Sequence, residues 1–206
     1  MPARGGRRRR GDSLLESIYE ATTFILREQG YARLTFVEIA RVARTSRTVL
    51  YRRWGTPLNL IRAITSYRSF QALGGDMIDL VEDTGSLRGD LLALMRLYLR
   101  IYDAVGTDIM NAVVFEMSQN NSQIPAITDD VMVRNRQVTE KIIGAARERG
   151  EAIKALSPAA LTLPFDLIRV GYLWGRPAFG EAELEGLVDE ILMPVFTKHP
   201  PSRPSR

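Results

Sequence analysis

Cysteine is absent from this chain of 206 residues, and histidine occurs once, at His199. Without a thiol there is no disulfide framework, no thiolate zinc site and no cysteine nucleophile. His199 lies in a tail of proline, serine and arginine, which argues against a Ser-His-Asp triad or a multi-histidine metal site. Long apolar runs are missing too: nothing approaches the ~18 consecutive apolar residues of a membrane span. The arginine run at 7–10 is followed by Gly11-Asp12-Ser13-Leu14-Leu15-Glu16, an acidic amphipathic start and not the apolar segment of a secretory signal. The expectation is a soluble, cytoplasmic protein with no membrane partner and no cofactor.

What is present is ordinary in amount and uneven in placement. Hydrophobic residues make up 45% and charged residues 25%, enough for a packed core in one or two domains. Residues 1–62 hold 13 Lys and Arg against 5 Asp and Glu, while residues 63–206 hold 15 against 19. A first third of net charge +8 joined to a remainder of −4 points to a polyanion bound at one end only. Charge by itself does not choose among DNA, RNA and anionic lipid.

Helix signals recur along the chain and no segment alternates as a strand does. Residues 1–11, rich in Gly and Arg, are expected to form a disordered basic arm. Ser13-x-x-Glu16 reads as a capping box opening a first helix with apolar Leu15, Ile18, Ile25 and Leu26, and Gly30 is placed to end it. Thr35-x-x-Glu38 opens a second, short helix. Ser46 caps a third that runs to about Trp54, and Thr56-Pro57 opens a fourth. Further helices are expected at 87–105, 128–149, from Ser157-Pro158 with a kink at Pro164, and at about 181–196. The tail from 199 to 206 is expected to be disordered.

Two short helices joined by a tight turn at Arg44-Thr45 fit a helix-turn-helix, whose second helix enters the major groove of DNA. In that helix Val49, Leu50 and Trp54 are expected inward, and Arg47, Thr48, Tyr51 and Arg52 outward. The run from Gly30 through Thr35, Ile39-Ala40, Ala43, Ser46, Leu50-Tyr51-Arg52-Arg53-Trp54 and Thr56 to Leu60 resembles the N-terminal DNA-binding domain of the TetR family of transcriptional repressors. The specific match covers roughly residues 13–62. The resemblance implies a fully α-helical chain: a three-helix DNA-binding domain over 12–56, then a ligand-binding and dimerisation bundle over 57–198. Arg47, Thr48 and Arg52 are the expected base readers. Thr35, Arg44, Thr45, Tyr51, Arg53 and Thr56 complete the expected DNA-contacting set, chiefly through phosphates. Two departures stand out. Arg44 takes the place of the family's turn glycine, and Pro57-Leu58 replaces a usual Lys-Glu.

The remaining two-thirds carries no catalytic constellation. The resemblance implies a cavity for a lipophilic or aromatic effector, and Phe70, Met95, Tyr98, Tyr102, Met110, Phe115, Met132 and Trp174 are its candidate lining. The last two long helices present Leu161, Phe165, Ile168 and Tyr172, and Leu184, Leu187, Val188, Ile191 and Leu192, as the expected interface of a homodimer that would read a palindromic operator in double-stranded DNA. The competing readings are a constitutive, weakly specific DNA-organising dimer without effector control and, a distant third, a carboxylate enzyme with a basic surface.

Overall fold

The computed structural model describes the backbone over residues 5–118, 124–173 and 179–198, and the side chains over 13–116, 130–172 and 179–198. Its helices are α1 (Gly5–Gln29), α2 (Phe36–Val42), α3 (Arg47–Trp54), α4 (Pro57–Leu73), α5 (Met77–Leu80), α6 (Leu87–Val105), α7 (Thr107–Ser118), α8 (Ile124–Glu148), α9 (Pro158–Leu173), α10 (Glu181–Leu187) and α11 (Met193–Phe196). Among the described residues the one β feature is an isolated antiparallel bridge between Ile153 and Thr197. The fold is all-α, as expected.

The chain divides into two compact units, residues 1–69 with 105–121, and 70–104 with 122–206. The boundary expected at 56/57 is therefore corrected. Most of α4 belongs with the first unit because Leu58, Leu60, Ile61 and Ile64 are all buried there. A second correction concerns the start of the chain. α1 begins at Gly5, so residues 5–11 are helical and the Ser13 box lies inside the helix. Arginine is a good helix former, and no proline interrupts 5–29.

In the first unit α1 buries Ile18, Thr22, Ile25 and Leu26 at helical spacing, and the Thr22 hydroxyl donates to the Ile18 carbonyl at 2.8 Å. Gly30, at φ 79°, accepts the left-handed conformation that stops α1. Phe36 and Ile39 of α2, Leu50 and Trp54 of α3, and Ile61 and Ile64 of α4 fill the core beside it. Each such side chain contributes ~1.5–3 kcal/mol when fully buried. Arg68 of α4 donates to the Val105 carbonyl and to the Thr23 hydroxyl, both at 2.7 Å.

In the second unit Arg149 joins Asp83, Asp90 and Glu151. Asp90, only 1% exposed, also accepts from the Thr84 amide and hydroxyl at 2.7 Å. Glu151 accepts the Leu87 amide, satisfying a free donor at the start of α6. The helix expected over 181–196 is interrupted: a π-helical stretch, Val188–Leu192, precedes Pro194. Proline has no amide proton to give to the preceding turn, and a widened turn accommodates it. Lys154 donates to the Pro194 carbonyl, one of the last-turn carbonyls of α11, at 2.6 Å.

Candidate nucleic-acid interface

The reading helix is set by three caps. Thr35 accepts the Glu38 amide at 3.2 Å, Ser46 the Val49 amide at 3.3 Å, and Thr56 the Asn59 amide at 3.2 Å. Each satisfies one orphan donor at a helix start, typically worth about 1 kcal/mol. The box at Thr35 is only half formed, since the Glu38 carboxylate turns to Arg41. That ion pair holds the Glu38 carboxyl below the usual glutamate range.

Between α2 and α3 the chain makes a left-handed turn. The Thr45 amide donates to the Ala40 carbonyl at 2.9 Å and the Arg44 amide to that of Arg41 at 3.4 Å. The residue between these bonds must take positive φ, and Arg44 does so at 50°, the one non-glycine in that region among the described residues. An L side chain there costs roughly 1–2 kcal/mol. The departure read from the sequence is therefore a real backbone constraint.

This turn points α3 with one face in and one face out. Leu50 and Trp54 are buried, at 0% and 8% exposure, and Val49 is half-buried. Arg47, Thr48, Tyr51, Arg52 and Arg53 are exposed. Tyr51 stands edge-on to the buried Phe36 ring at 4.9 Å, which orients it while leaving its outer end in water. Arg53 lies over the Trp54 ring at 5.2 Å. Among the described residues none of Arg44, Arg47, Arg52 and Arg53 pairs with a carboxylate. Their charge stays available to an outside anion.

Thr35 and Arg44 are exposed, and Thr45 and Thr56 half-buried. Val37, Ala40, Arg41, Thr45, Ser46, Arg47 and Thr48 line an open cleft where α2 meets α3. Val37 was absent from the sequence-based set. Its signal there was an apolar residue on the outer side of an amphipathic helix, one position from the buried Phe36.

The expected effector lining divides. Met95, Tyr98 and Tyr102 are buried in the second unit, and Met132 is half-buried there. Tyr98 stacks edge-on with Tyr102 at 5.1 Å and with Phe165 at 4.8 Å, and Tyr102 meets Tyr172 at 4.8 Å. Arg169 donates to the Tyr98 oxygen at 3.3 Å and pairs with Asp166, while the Tyr172 hydroxyl donates to Asp103. Among the described residues the buried Tyr102 hydroxyl makes no hydrogen bond, with Tyr98 and Arg169 its polar neighbours, and burial pushes its pKa far up, so it stays protonated. Phe70 is 57% exposed and Phe115 45% exposed, so neither lines a closed pocket here, and Met110 and Phe115 fall in the first unit. Phe115 packs on Tyr31 at 4.6 Å. Trp174 lies outside the described residues.

The expected dimer stripe is corrected in part. Phe165, Ile168, Leu184, Val188 and Leu192 are buried within their own chain, where they close the core of the second unit. Gly171, buried on α9, leaves no room for a side chain, since a Cβ there would collide with the Phe179 ring. Leu161, Tyr172, Leu187 and Ile191 keep accessible surface. Leu163, Leu167 and Val170, on the other side of α9 and outside the expected stripe, also keep accessible surface, with Val170 50% exposed, as does Val195 of α11. α9 is apolar on two sides, and the amphipathic pattern does not say which side the core takes.

Residues 18–64 match the family described as bacterial regulatory proteins, tetR family. Residues 81–191 match the Tetracyclin repressor-like, C-terminal domain. The chain is 30% identical over 183 residues to an uncharacterized HTH-type transcriptional regulator of Mycobacterium tuberculosis, covering 86% of this chain and 85% of that one. It is 27% identical over 192 residues to the DNA-binding transcriptional repressor TetR of Mycobacteroides abscessus, covering 89% and 94%. Its fold matches the crystal structure of a bacterial regulatory protein in the tetR family from Rhodococcus RHA1 with a TM-score of 0.67 at 18% identity, covering 90% of this chain and 98% of that chain.

Proposed function

We propose a mode of action for this chain, which belongs to the tetR family of helix-turn-helix transcriptional regulators: it represses transcription by binding a palindromic operator as a homodimer and lets go when a small effector binds. The observation that carries the reading is the outer face of α3, where Arg47, Thr48, Tyr51 and Arg52 stand exposed and, among the described residues, neither arginine pairs with a carboxylate. Arg47, Thr48 and Arg52 read base edges; Thr35, Arg44, Thr45, Tyr51, Arg53 and Thr56 hold the backbone phosphates.

Dimerisation is supported by the outward apolar residues of the last helices, Leu163, Leu167 and Val170 with Leu187, Ile191 and Val195. A two-fold pair of reading helices spaced ~34–36 Å apart reads one inverted repeat. The effector is aromatic or lipophilic and enters the second unit near Tyr98, Tyr102, Phe165 and Tyr172. The unpartnered Tyr102 hydroxyl supports this, because a polar atom of the ligand would satisfy it. The signal passes along α4, which Arg68 ties into the first unit. Tenfold to hundredfold release requires ~1.4–2.7 kcal/mol of differential affinity between two states.

The test is selection from a random duplex library with the full chain at near-physiological salt. An enriched inverted repeat, lost in Arg47→Ala with Tyr51→Ala, supports operator reading. Salt-sensitive binding without an enriched motif supports the DNA-organising alternative, and no binding refutes both. Release from the selected operator by aromatic or acyl ligands then tests the effector arm.

A further inference from the structure

One side chain on the reading surface does not fit its surroundings. Val37 is 55% exposed on α2, beside a cleft whose other lining, apart from the buried Ala40, is hydroxyls and guanidiniums. It adds nothing to the core, which the same helix supplies through Phe36, Ile39 and Ala40. A β-branched residue is also a poorer choice than Ala, Glu or Lys for an exposed helical position. Local stability therefore gives no reason for valine here.

Its neighbours give one. Val37 shares the open cleft with Thr45, Ser46, Arg47 and Thr48, the start of the reading helix. In a helix-turn-helix that start is the part nearest the base edges. The major groove displays donors and acceptors and a single apolar group, the C5 methyl of thymine. We propose that Val37 is a specificity residue which reads a thymine methyl in each half-site, beside the bases met by Arg47 and Thr48. This rests on the operator reading above and adds to it a contact of different chemistry, made from the first helix of the motif.

The consequence is measurable one methyl at a time. Each thymine of the selected operator is replaced by deoxyuridine, which pairs identically and lacks only the methyl. At one thymine position the wild-type chain is expected to lose about fourfold in affinity for each half-site exchanged, the amount that burying one methyl-sized group supports. Val37→Ala is expected to be indifferent to that exchange, and its own library selection to lose the preference for thymine at that position alone. Val37→Thr, which keeps one methyl and the branched shape, falls between the two. Because Val37 is exposed, each variant is expected to keep the wild-type helix content and melting curve. If no thymine methyl is coupled to Val37, or if Val37→Ala selects the same motif as wild type, the proposal is overturned while operator reading stands. If the wild-type chain selects no operator, the operator reading falls and takes the proposal with it.

Discussion

Replacing Arg44 separates two effects that usually travel together. The turn fixes residue 44 at φ 50°, whichever side chain is present, because the amides of residues 44 and 45 both donate back into α2. Arginine is strained there by roughly 1–2 kcal/mol. Glycine removes that strain and returns about 0.5–1 kcal/mol to the unfolded chain as entropy. Arg44→Gly is thus expected to stabilise the fold by about 0.5–1 kcal/mol net, a rise in Tm of ~1–4 °C for a chain of this size. Arg44→Ala keeps the strained backbone and is expected to leave Tm unchanged or lower. Against operator DNA the two variants should behave alike, because both delete one cation. If Arg44 holds a phosphate, each lowers the slope of log affinity against log salt by about 0.9 per protomer, or about 1.8 for the bound homodimer. Thermal melting and salt titrations of both variants check this. Equal melting of the Gly and Ala variants would refute the strain argument, and an unchanged salt slope would refute the phosphate contact.

Asp90→Ala should cost about 2–3 kcal/mol in a denaturant melt, since it strips three hydrogen bonds from a buried site and leaves Arg149 short of a partner. Tyr102→Phe should stabilise the free chain by about 1 kcal/mol by deleting a buried hydroxyl that makes no hydrogen bond among the described residues, yet weaken effector-driven release; a loss of stability would refute that. The hydrogen bond from Arg88 holds the Asp189 carboxyl below its ordinary range. A depressed carboxylate pKa stabilises the fold above the unfolded value near 4, and that stability is lost as pH falls through the folded value. Asp189→Asn should therefore lose this small contribution at neutral pH, change little below the folded value, and so flatten the acid limb of a stability-against-pH curve. Val170→Glu with Ile191→Glu should give a folded monomer in sedimentation; a persistent dimer would place the interface elsewhere.

The first unit was the more legible part because its signals are local. Thr35, Ser46 and Thr56 each cap a helix starting at the next residue, and a cap needs only its own three neighbours. Gly30 and Arg44 are likewise conformations of single residues, fixed by hydrogen bonds within one turn. The inward and outward sides of α3 followed from the same short range. What was not legible depends on packing between distant segments. Phe165 and Val170 are equally apolar in sequence, but one is fully buried and the other half exposed, and only the packed bundle decides which faces inward. Residue type alone makes Phe70 and Phe115 pocket candidates in the sequence, and type carries no information about where a helix turns its face. The arginines at 7–10 extend α1 because helix propensity continues past the box at Ser13, which reads as a start only when nothing helical precedes it.

The unpaired cations beside the reading helix are all guanidiniums. A guanidinium keeps its proton across any pH a cell meets, and it offers no amine for acylation. The positive potential that Arg44, Arg47, Arg52 and Arg53 present is therefore a constant of the molecule, scaled by ionic strength alone. A surface whose charge neither pH nor amine acylation dims is disengaged most directly by moving it. For this chain, letting go of a polyanion is then a matter of spacing, orientation and the number of copies present rather than of proton uptake at these four side chains.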